Sequence, residues 1–548
     1  MKKLLISILL ICTVLSAQNQ PIPLSFFGLT MGNAELNGSN AYPLINAGYS
    51  RLLGGVNLLW KNVQTGCSVP LSQSSNYSSA SISTMNTAIS TLLASNVSQI
   101  VISFSYTPTC VNGLTGTDPC TADSPSVPGN CLPPTDLNSS GSAYLNAYAT
   151  YIAANLKTNF PQCGTGKPCQ FIGEGWNEFN AGPGRWNPGS NWSSSTTYYA
   201  GMIVTSSSQL YIATATNTNS QPPNSNWSTT TISGYQMLAW MEQSICGPFH
   251  AAGYLCSTPN TAAMETTSGE TNLQNYLAEE ISTYGQMIAD IVAYHTYTNA
   301  APGYNVPETA GTVEAAAALT AATNAGISNP VLWSTEGSWL TGLATNWSGS
   351  VSYVPGMMVT SGGNTYVCIL ASTNNVPPNA TYWLASTATD PDSQASFLAR
   401  WFLSQIGRVQ RTLWFSYDLG DGQLYPSGGP MNSTGTAYQQ LVSWLVGGTP
   451  TNTPMCAIAS GTQWTCPYIF GGQPALIVWD TGNYCANGTC TSTNFTVTAG
   501  AWATFRDLAG NTTAISPTAT TVSVGIKPIL LQPALNMVGR SSVSGAIH

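Results

Sequence analysis

The chain has 548 residues, only 6% of them charged, and 13 Lys and Arg against 21 Asp and Glu leave a net charge of −8. So few basic groups argue against nucleic acid or an anionic membrane as partner. No segment after the N-terminus reaches about 18 apolar residues, which excludes a spanning helix, and three His without HxxxH or CxxC spacing argue against a metal site.

Met1-Lys-Lys, an apolar run from Leu4 to Leu15 and then Ser16-Ala17-Gln18 read as a secretory signal over residues 1–17. The mature protein is therefore expected to be secreted, extracellular or periplasmic, with most cysteines paired. Close neighbours suggest Cys120–Cys131, Cys163–Cys169, Cys246–Cys256, Cys456–Cys466 and Cys485–Cys490, with Cys67–Cys110 as a sixth pair.

From residue 24 to 448, short β-branched or aromatic runs alternate with helix-like segments. Strands are expected at Leu24–Thr30, Ser50–Leu53, Gln99–Phe104, Gln170–Gly175, Ala262–Thr266, Ile291–Tyr297, Pro330–Thr335 and Arg411–Tyr417. Helical periods fall at Ser81–Ser95, Ala143–Leu156, Ser233–Ala252, Leu273–Ile288, Thr312–Ala325, Ser393–Ile406 and Ala437–Leu445. This alternation predicts an α/β fold, a (β/α)8 TIM barrel over 18–448. The lack of a glycine-rich fingerprint after the first strand counts against an open nucleotide-binding sheet.

The barrel region carries a repeat. Asn191-Trp-Ser-Ser-Ser-Thr-Thr-Tyr198 returns as Asn346-Trp-Ser-Gly-Ser-Val-Ser-Tyr353, and the match runs on through Gly201/Gly356, Val204/Val359, Tyr211/Tyr366 and Pro222-Pro223/Pro377-Pro378. Two β insertions, 187–231 and 346–388, are thus expected in the loops after strands four and seven, walling the cleft on both sides. Cys368 stands where the first copy has Ala213, which nominates it as the unpaired thiol. Tyr211 and Val204 read as insertion core, and Trp192, Trp227, Trp347 and Trp383 as the aromatics for exposure. After Gly448 the period changes to short strands between Asn-Gly, Gly-Asn and Pro turns, predicting an antiparallel β-sandwich over 449–535 and a tail over 536–548.

Two of only 11 glutamates close apolar strands: Glu178 in Phe171-Ile-Gly-Glu-Gly-Trp-Asn-Glu178, and Glu336 in Val331-Leu-Trp-Ser-Thr-Glu336. In a barrel such strand ends meet in one pocket. A carboxyl pair can break a glycosidic bond, one as acid/base and the other as nucleophile, when they lie roughly 5–5.5 Å apart. Trp176 beside Glu178 supplies an apolar setting. His295 and Tyr297 end strand six and Arg51 ends strand two, all donors suited to a carboxylate. Glu174, on the same strand face as Glu178, reads as a partly buried structural carboxylate.

Trp176-Asn177-Glu178, His295-x-Tyr297 and Thr335-Glu336 together resemble clan A retaining glycoside hydrolases, with family 39-like and family 5-like enzymes nearest; Phe179 stands where family 39 usually has Pro. The resemblance covers roughly residues 24–535. It implies Glu178 as acid/base and Glu336 as nucleophile, Asn177 on a sugar 2-hydroxyl, Tyr297 on Glu336, and either Trp414 or Tyr417 beneath the sugar. The insertions are similar to small chitin- or cellulose-binding modules. The expectation is a secreted retaining enzyme that cleaves β-glycosidic bonds of a polysaccharide or oligosaccharide, with no metal or organic cofactor. The alternative is a non-catalytic carbohydrate-binding or surface-attachment protein on a degenerate barrel.

Overall fold

A computed structural model of the chain describes residues 20–31, 47–52, 59–112, 132–180, 191–297, 306–338, 345–386, 391–418, 422–425 and 430–534. The signal segment, the tail and the Cys120–Cys131 pair lie outside the described residues. The chain divides into two compact units: Pro23–Thr345 with Arg400–Gly435, and Asn346–Ala399 with Thr436–His548 and the N-terminal residues to Ile22.

The first unit is a barrel of eight parallel strands: β1 Phe27–Thr30, β2 Tyr49–Leu52, β3 Gln99–Ser103, β4 Gln170–Glu174, β5 Leu255–Ser257, β6 Val292–Tyr297, β7 Leu332–Ser338 and β8 Arg411–Trp414. Neighbours pair in the order β5-β4-β3-β2-β1-β8-β7-β6. Parallel bridges Ser257↔Ile291 and Thr261↔Tyr294 close the ring between β5 and β6. Tyr49, Val101, Ile172, Ile291, Trp333 and Leu413 form one buried cluster, a layer of side chains across the barrel interior.

The intervening helices include α1 Ser79–Ala94, α2 Ala143–Asn159, α3 Gly234–Ala252, α4 Thr267–Tyr284 and α5 Ala315–Asn324. Ser78, Ser142, Ser233 and Thr266 cap the first four, each hydroxyl accepting the amide three residues on. Such a cap stabilises a helix by about 1 kcal/mol.

The fifth strand departs from expectation. Ala262–Thr266 is not a strand; Leu255–Ser257 pairs with β4 instead, Leu255 opposite Ile172. This strand has three residues and no β-branched side chain, so it carries little local signal. It is fixed by the left-handed Gly253 that stops α3 and by the Cys246–Cys256 disulfide.

The first insertion forms a three-stranded sheet of Ile203–Ser206, Gln209–Ala213 and Trp227–Thr229, and a two-stranded one of Thr197–Tyr198 and Asn217–Thr218. Tyr198, Val204, Tyr211, Ala213 and Trp227 are its core. The second copy, in the other unit, repeats the two-stranded pair but has a four-stranded sheet where the first has three strands. Trp227 and Trp383, expected on the surface, are only 6% and 3% exposed. Each ring packs edge-on against a tyrosine, Tyr198 or Tyr353, and its indole N–H donates to a backbone carbonyl, of Ser220 or Asn375. The aromatic pattern is the module's interior. Trp192 and Trp347 are half-buried.

In the same second unit, a seven-stranded antiparallel sheet and the pair Ser492–Thr496 with Thr521–Gly525 enclose Val478, Val497, Val522, Val524, Ile529 and Leu531. Five disulfides join Cys67–Cys110, Cys163–Cys169, Cys246–Cys256, Cys456–Cys466 and Cys485–Cys490, and Cys368 is a buried free thiol. These are the pairs that spacing suggests. Among the described residues no helix is long and apolar enough to cross a membrane.

Candidate active site

Two side chains of the site, Arg51 and Glu174, stand one strand period above the core layer. Arg51 lies two residues beyond Tyr49 on β2, and Glu174 two beyond Ile172 on β4, so both share the inward face. Glu174, fully buried, accepts from Arg51 Nε at 2.6 Å and also meets Nη2. Nη2 donates to Asn177 Oδ1 at 2.7 Å, and Nη1 to Glu336 Oε2 at 2.5 Å. Burial opposes the guanidinium charge, but Glu174 and then Glu336 outweigh it, and the Arg51 pKa is raised.

Glu336 needs a break in the strand to join this group. Trp333 occupies the core layer, and a residue three positions on would face the helices in a regular strand. Between β6 and β7 the register shifts, from Tyr294 opposite Ser334 to His295 opposite Glu336. The extra residue, Thr335, is a β-bulge that returns Glu336 to the interior. Gly337 follows because a Cβ there would stand 2.3 Å from the Thr296 carbonyl. Tyr297 OH then donates to Glu336 Oε1. One carboxylate oxygen thus has a phenol and the other a guanidinium, charge-assisted donors that favour the anion.

Glu178 is not on β4, as expected, but four residues beyond its end, in a turn with φ of +45°. Its Oε1 lies 2.7 Å from His295 Nδ1, and His295 Nε2 is 3.8 Å from Glu336 Oε2. One imidazole therefore stands between the two carboxyls. With its proton on Nδ1 it donates to an ionised Glu178; with the proton on Nε2 it accepts from a protonated one. Glu178 keeps a partner in both states. Glu178 and Glu336 are 9% and 8% exposed, against 0% for Arg51 and Glu174 and 1% for His295, so the two carboxyls are the parts that open outward.

Oxygens of Glu178 and Glu336 and a nitrogen of His295 all lie within 4.8 Å of one another, close enough for one metal ion. Arg51 already places a fixed cation on Glu336, which disfavours a second positive charge there. A second such group, Glu242 with Cys246 and Cys256, has both sulfurs in a disulfide.

Other expected residues fall in different places. Asn177 is in the site: its oxygen is held by Arg51 and its backbone N–H by Ser105 Oγ at 2.8 Å, leaving Nδ2 as the end for a ligand. Trp176 is buried, and its carbonyl accepts from the Asn260 amide. Trp414 is not brought to the site. Leu413 takes the inward position, so Trp414 faces out, fully buried against Trp401 and Phe402, with its indole N–H on the Gly422 carbonyl. Tyr417 is also buried, its ring 4.8 Å from that of Tyr425, where it holds a loop. The period instead puts Phe415 above Leu413, and Phe415 is half-buried at the strand's end. The sequence reading passed over it; counting two from Leu413 would have found it.

No family model matches the chain, and no curated protein matches it. Among solved structures it is similar to a family 30 endoxylanase from Clostridium papyrosolvens (10% identity, TM-score 0.47, 95% of this chain and 98% of that one). It is also similar to a family 44 xyloglucanase from Paenibacillus polymyxa (10%, TM-score 0.45, 94% and 97%). A third is a 4-O-α-L-rhamnosyl-β-D-glucuronidase from Fusarium oxysporum (12%, TM-score 0.47, 94% and 98%). At such scores these likenesses carry no argument, and the barrel rests on its own strand topology.

Proposed function

We propose that the protein is a retaining glycoside hydrolase of the clan A kind, acting on β-glycosidic bonds of an oligosaccharide or polysaccharide. The observation that carries this reading is the pair itself: carboxyl oxygens of Glu178 and Glu336 within 4.8 Å, bridged by His295. That spacing supports direct attack on the sugar over the wider separation at which an inverting enzyme places a water between its carboxyls.

In the first step a Glu336 oxygen bonds to the anomeric carbon as the bond to the leaving oxygen breaks, and Glu178 gives that oxygen its proton. In the second, water attacks the anomeric carbon, Glu178 takes the water's proton, and Glu336 leaves as carboxylate. Arg51 and Tyr297 keep Glu336 charged and oriented. Asn177 Nδ2 is placed for a sugar hydroxyl, and Phe415 offers an apolar face to the ring. The five disulfides and the signal-like N-terminus favour an exported protein. In the insertions, glycan stacking would fall to Trp192 and Trp347, since Trp227 and Trp383 are interior.

The test is hydrolysis of aryl β-glycosides and of a glycan panel by wild type, Glu178→Ala and Glu336→Ala, with the product anomer followed by proton NMR. Cleavage with retained configuration, lost in both variants, is expected. Inverted product, or activity that survives Glu336→Ala, overturns the reading.

A further inference from the structure

Glu178 leaves its strand, turns through a left-handed residue, and yet its carboxyl meets one imidazole nitrogen at 2.7 Å. A non-glycine residue with positive φ is held there by its surroundings, at roughly 1–2 kcal/mol. The holding groups come from the loop after β5. Asn260, fully buried, accepts the Glu178 amide on Oδ1 at 2.6 Å, and its own N–H donates to the Trp176 carbonyl at 3.1 Å. Two residues on, Asn180 and Ala262 pair twice: Asn180 Nδ2 donates to the Ala262 carbonyl at 2.9 Å, and the Ala262 amide to Asn180 Oδ1 at 2.8 Å. Upstream, Gly175 runs so close to Pro259 that a Cβ would sit 3.0 Å from its ring.

The next residue of the same loop serves the other partner. The Thr261 carbonyl accepts the His295 amide at 2.9 Å. Asn260 and Thr261, adjacent in the chain, thus fix the backbones of Glu178 and His295, whose side chains touch. Asn260 also shows that its oxygen is the end that matters here. Only oxygen can accept from an N–H, so Nδ2 points the other way, and there it is buried with no hydrogen-bond partner among the described residues. An unmade bond of this kind costs about 1–3 kcal/mol, which a purely structural position would have avoided with a Leu or Met.

We infer that Asn260 is the positioning residue for the proposed acid/base: through the Glu178 amide it holds the turn that sets the Glu178 carboxyl on His295. The inference rests on the glycosidase reading for its kinetic consequence, though not for its geometry. Asn260 acts through Glu178 and leaves the Glu336 group untouched, since Arg51 and Tyr297 reach Glu336 from β2 and β6. Its loss therefore impairs proton donation and spares nucleophilic attack.

Leaving groups separate these two. A 2,4-dinitrophenyl glycoside departs without protonation, whereas an unactivated disaccharide or alkyl glycoside needs the acid. Asn260→Leu, which fills the space without an acceptor, should lower kcat/KM about 10–100-fold on the unactivated substrate and less than about threefold on the dinitrophenyl one. Asn260→Asp keeps the acceptor and adds a negative charge, so it should hold the rate while moving the alkaline limb of the pH profile up by roughly half a unit or more. A crystal structure of Asn260→Leu supplies a readout free of activity: the Glu178–His295 contact should be lost and both Glu336 contacts kept. Equal losses on the two substrates, an unmoved alkaline limb in Asn260→Asp, or an intact Glu178–His295 contact in Asn260→Leu overturns the inference. A wild type that cleaves neither substrate sinks the glycosidase reading alone, and the crystal structure still decides the role of Asn260. Should Asn260→Leu fail to fold, the Asp variant's pH profile decides it.

Discussion

Two groups of buried carboxyls in the barrel unit are treated in opposite ways. At the strand ends, Glu174 and Glu336 share the Arg51 guanidinium and Tyr297 holds the second oxygen of Glu336, while the second oxygen of Glu174 has no hydrogen-bond partner among the described residues. In the helical layer, Glu242 on α3 and Glu280 on α4 are fully buried, each with one oxygen that has no hydrogen-bond partner among the described residues. Burial pushes Glu242 well up, and the charges of Glu280 and Asp290 push it further. Burial also lifts Glu280 to about 7, against the pull of the Ile288 and Ala289 amides. Glu314, just before α5, has neither oxygen bonded among the described residues and is likewise pushed up by burial, then by Glu265. Burial alone therefore does not mark a functional acid. A carboxyl given a cation stays charged and can attack; one without it is held neutral by its proton.

The comparison breaks hardest at Glu336. Glu336→Gln keeps the shape and both donors but removes the attacking charge, so kcat on an aryl glycoside should fall on the order of 10^4-fold or more. A loss below about tenfold would mean that the charged region does no chemistry. Arg51→Met tests the same region through stability. It strips the cation from Glu174, which has no route to water, and breaking a buried pair from one side costs about 3–5 kcal/mol. Urea unfolding should show a loss of that size, and a neutral result would show that the Arg51–Glu174 pair does not hold the barrel together.

The sequence made the barrel legible because six of its strands place an apolar residue in one interior layer, and the helices between them keep a clean period. Glu336, His295, Tyr297 and Arg51 could be gathered from strand ends, Glu178 from its place just after an apolar strand, and Asn177 from the resemblance of Trp176-Asn177-Glu178. What stayed hidden depended on single-residue shifts. The bulge at Thr335 is invisible as a pattern, although Trp333 and Glu336 cannot both face inward without one. The resemblance asks for an aromatic at the end of strand eight, and only the count of two from Leu413 tells Phe415 from Trp414 there. β5 has three residues and no β-branched side chain, so the sequence points instead to Ala262–Thr266, just past the Asn260 and Thr261 that hold the site. The insertions misled differently: an aromatic motif shared by two copies reads equally as a binding face or as a core, and packing of Trp227 on Tyr198 decided for the core.

In the helical layer the expected effects are smaller and depend on pH. Glu280 has a folded pKa of about 7 against an unfolded value near 4.3, so across that window the folded state binds the extra proton. Stability is then highest below about pH 4.3 and declines as pH rises through 7, by on the order of 3 kcal/mol. Glu280→Gln keeps an oxygen for the Ile288 amide and removes the titration, so the slope of Tm against pH between 5 and 7 should flatten. An unchanged slope would place the proton elsewhere, Glu242 being the next candidate. The smallest effect is expected at Glu314. Glu314→Met has a similar length and removes two unbonded oxygens, while Tyr294 OH, already without a partner, loses nothing. Relief of the unmade bonds should leave stability unchanged or raised by about 1 kcal/mol, with activity intact. A destabilisation beyond about 2 kcal/mol would show that this acid is held by partners after all, and the contrast between the two regions would fail where it is sharpest.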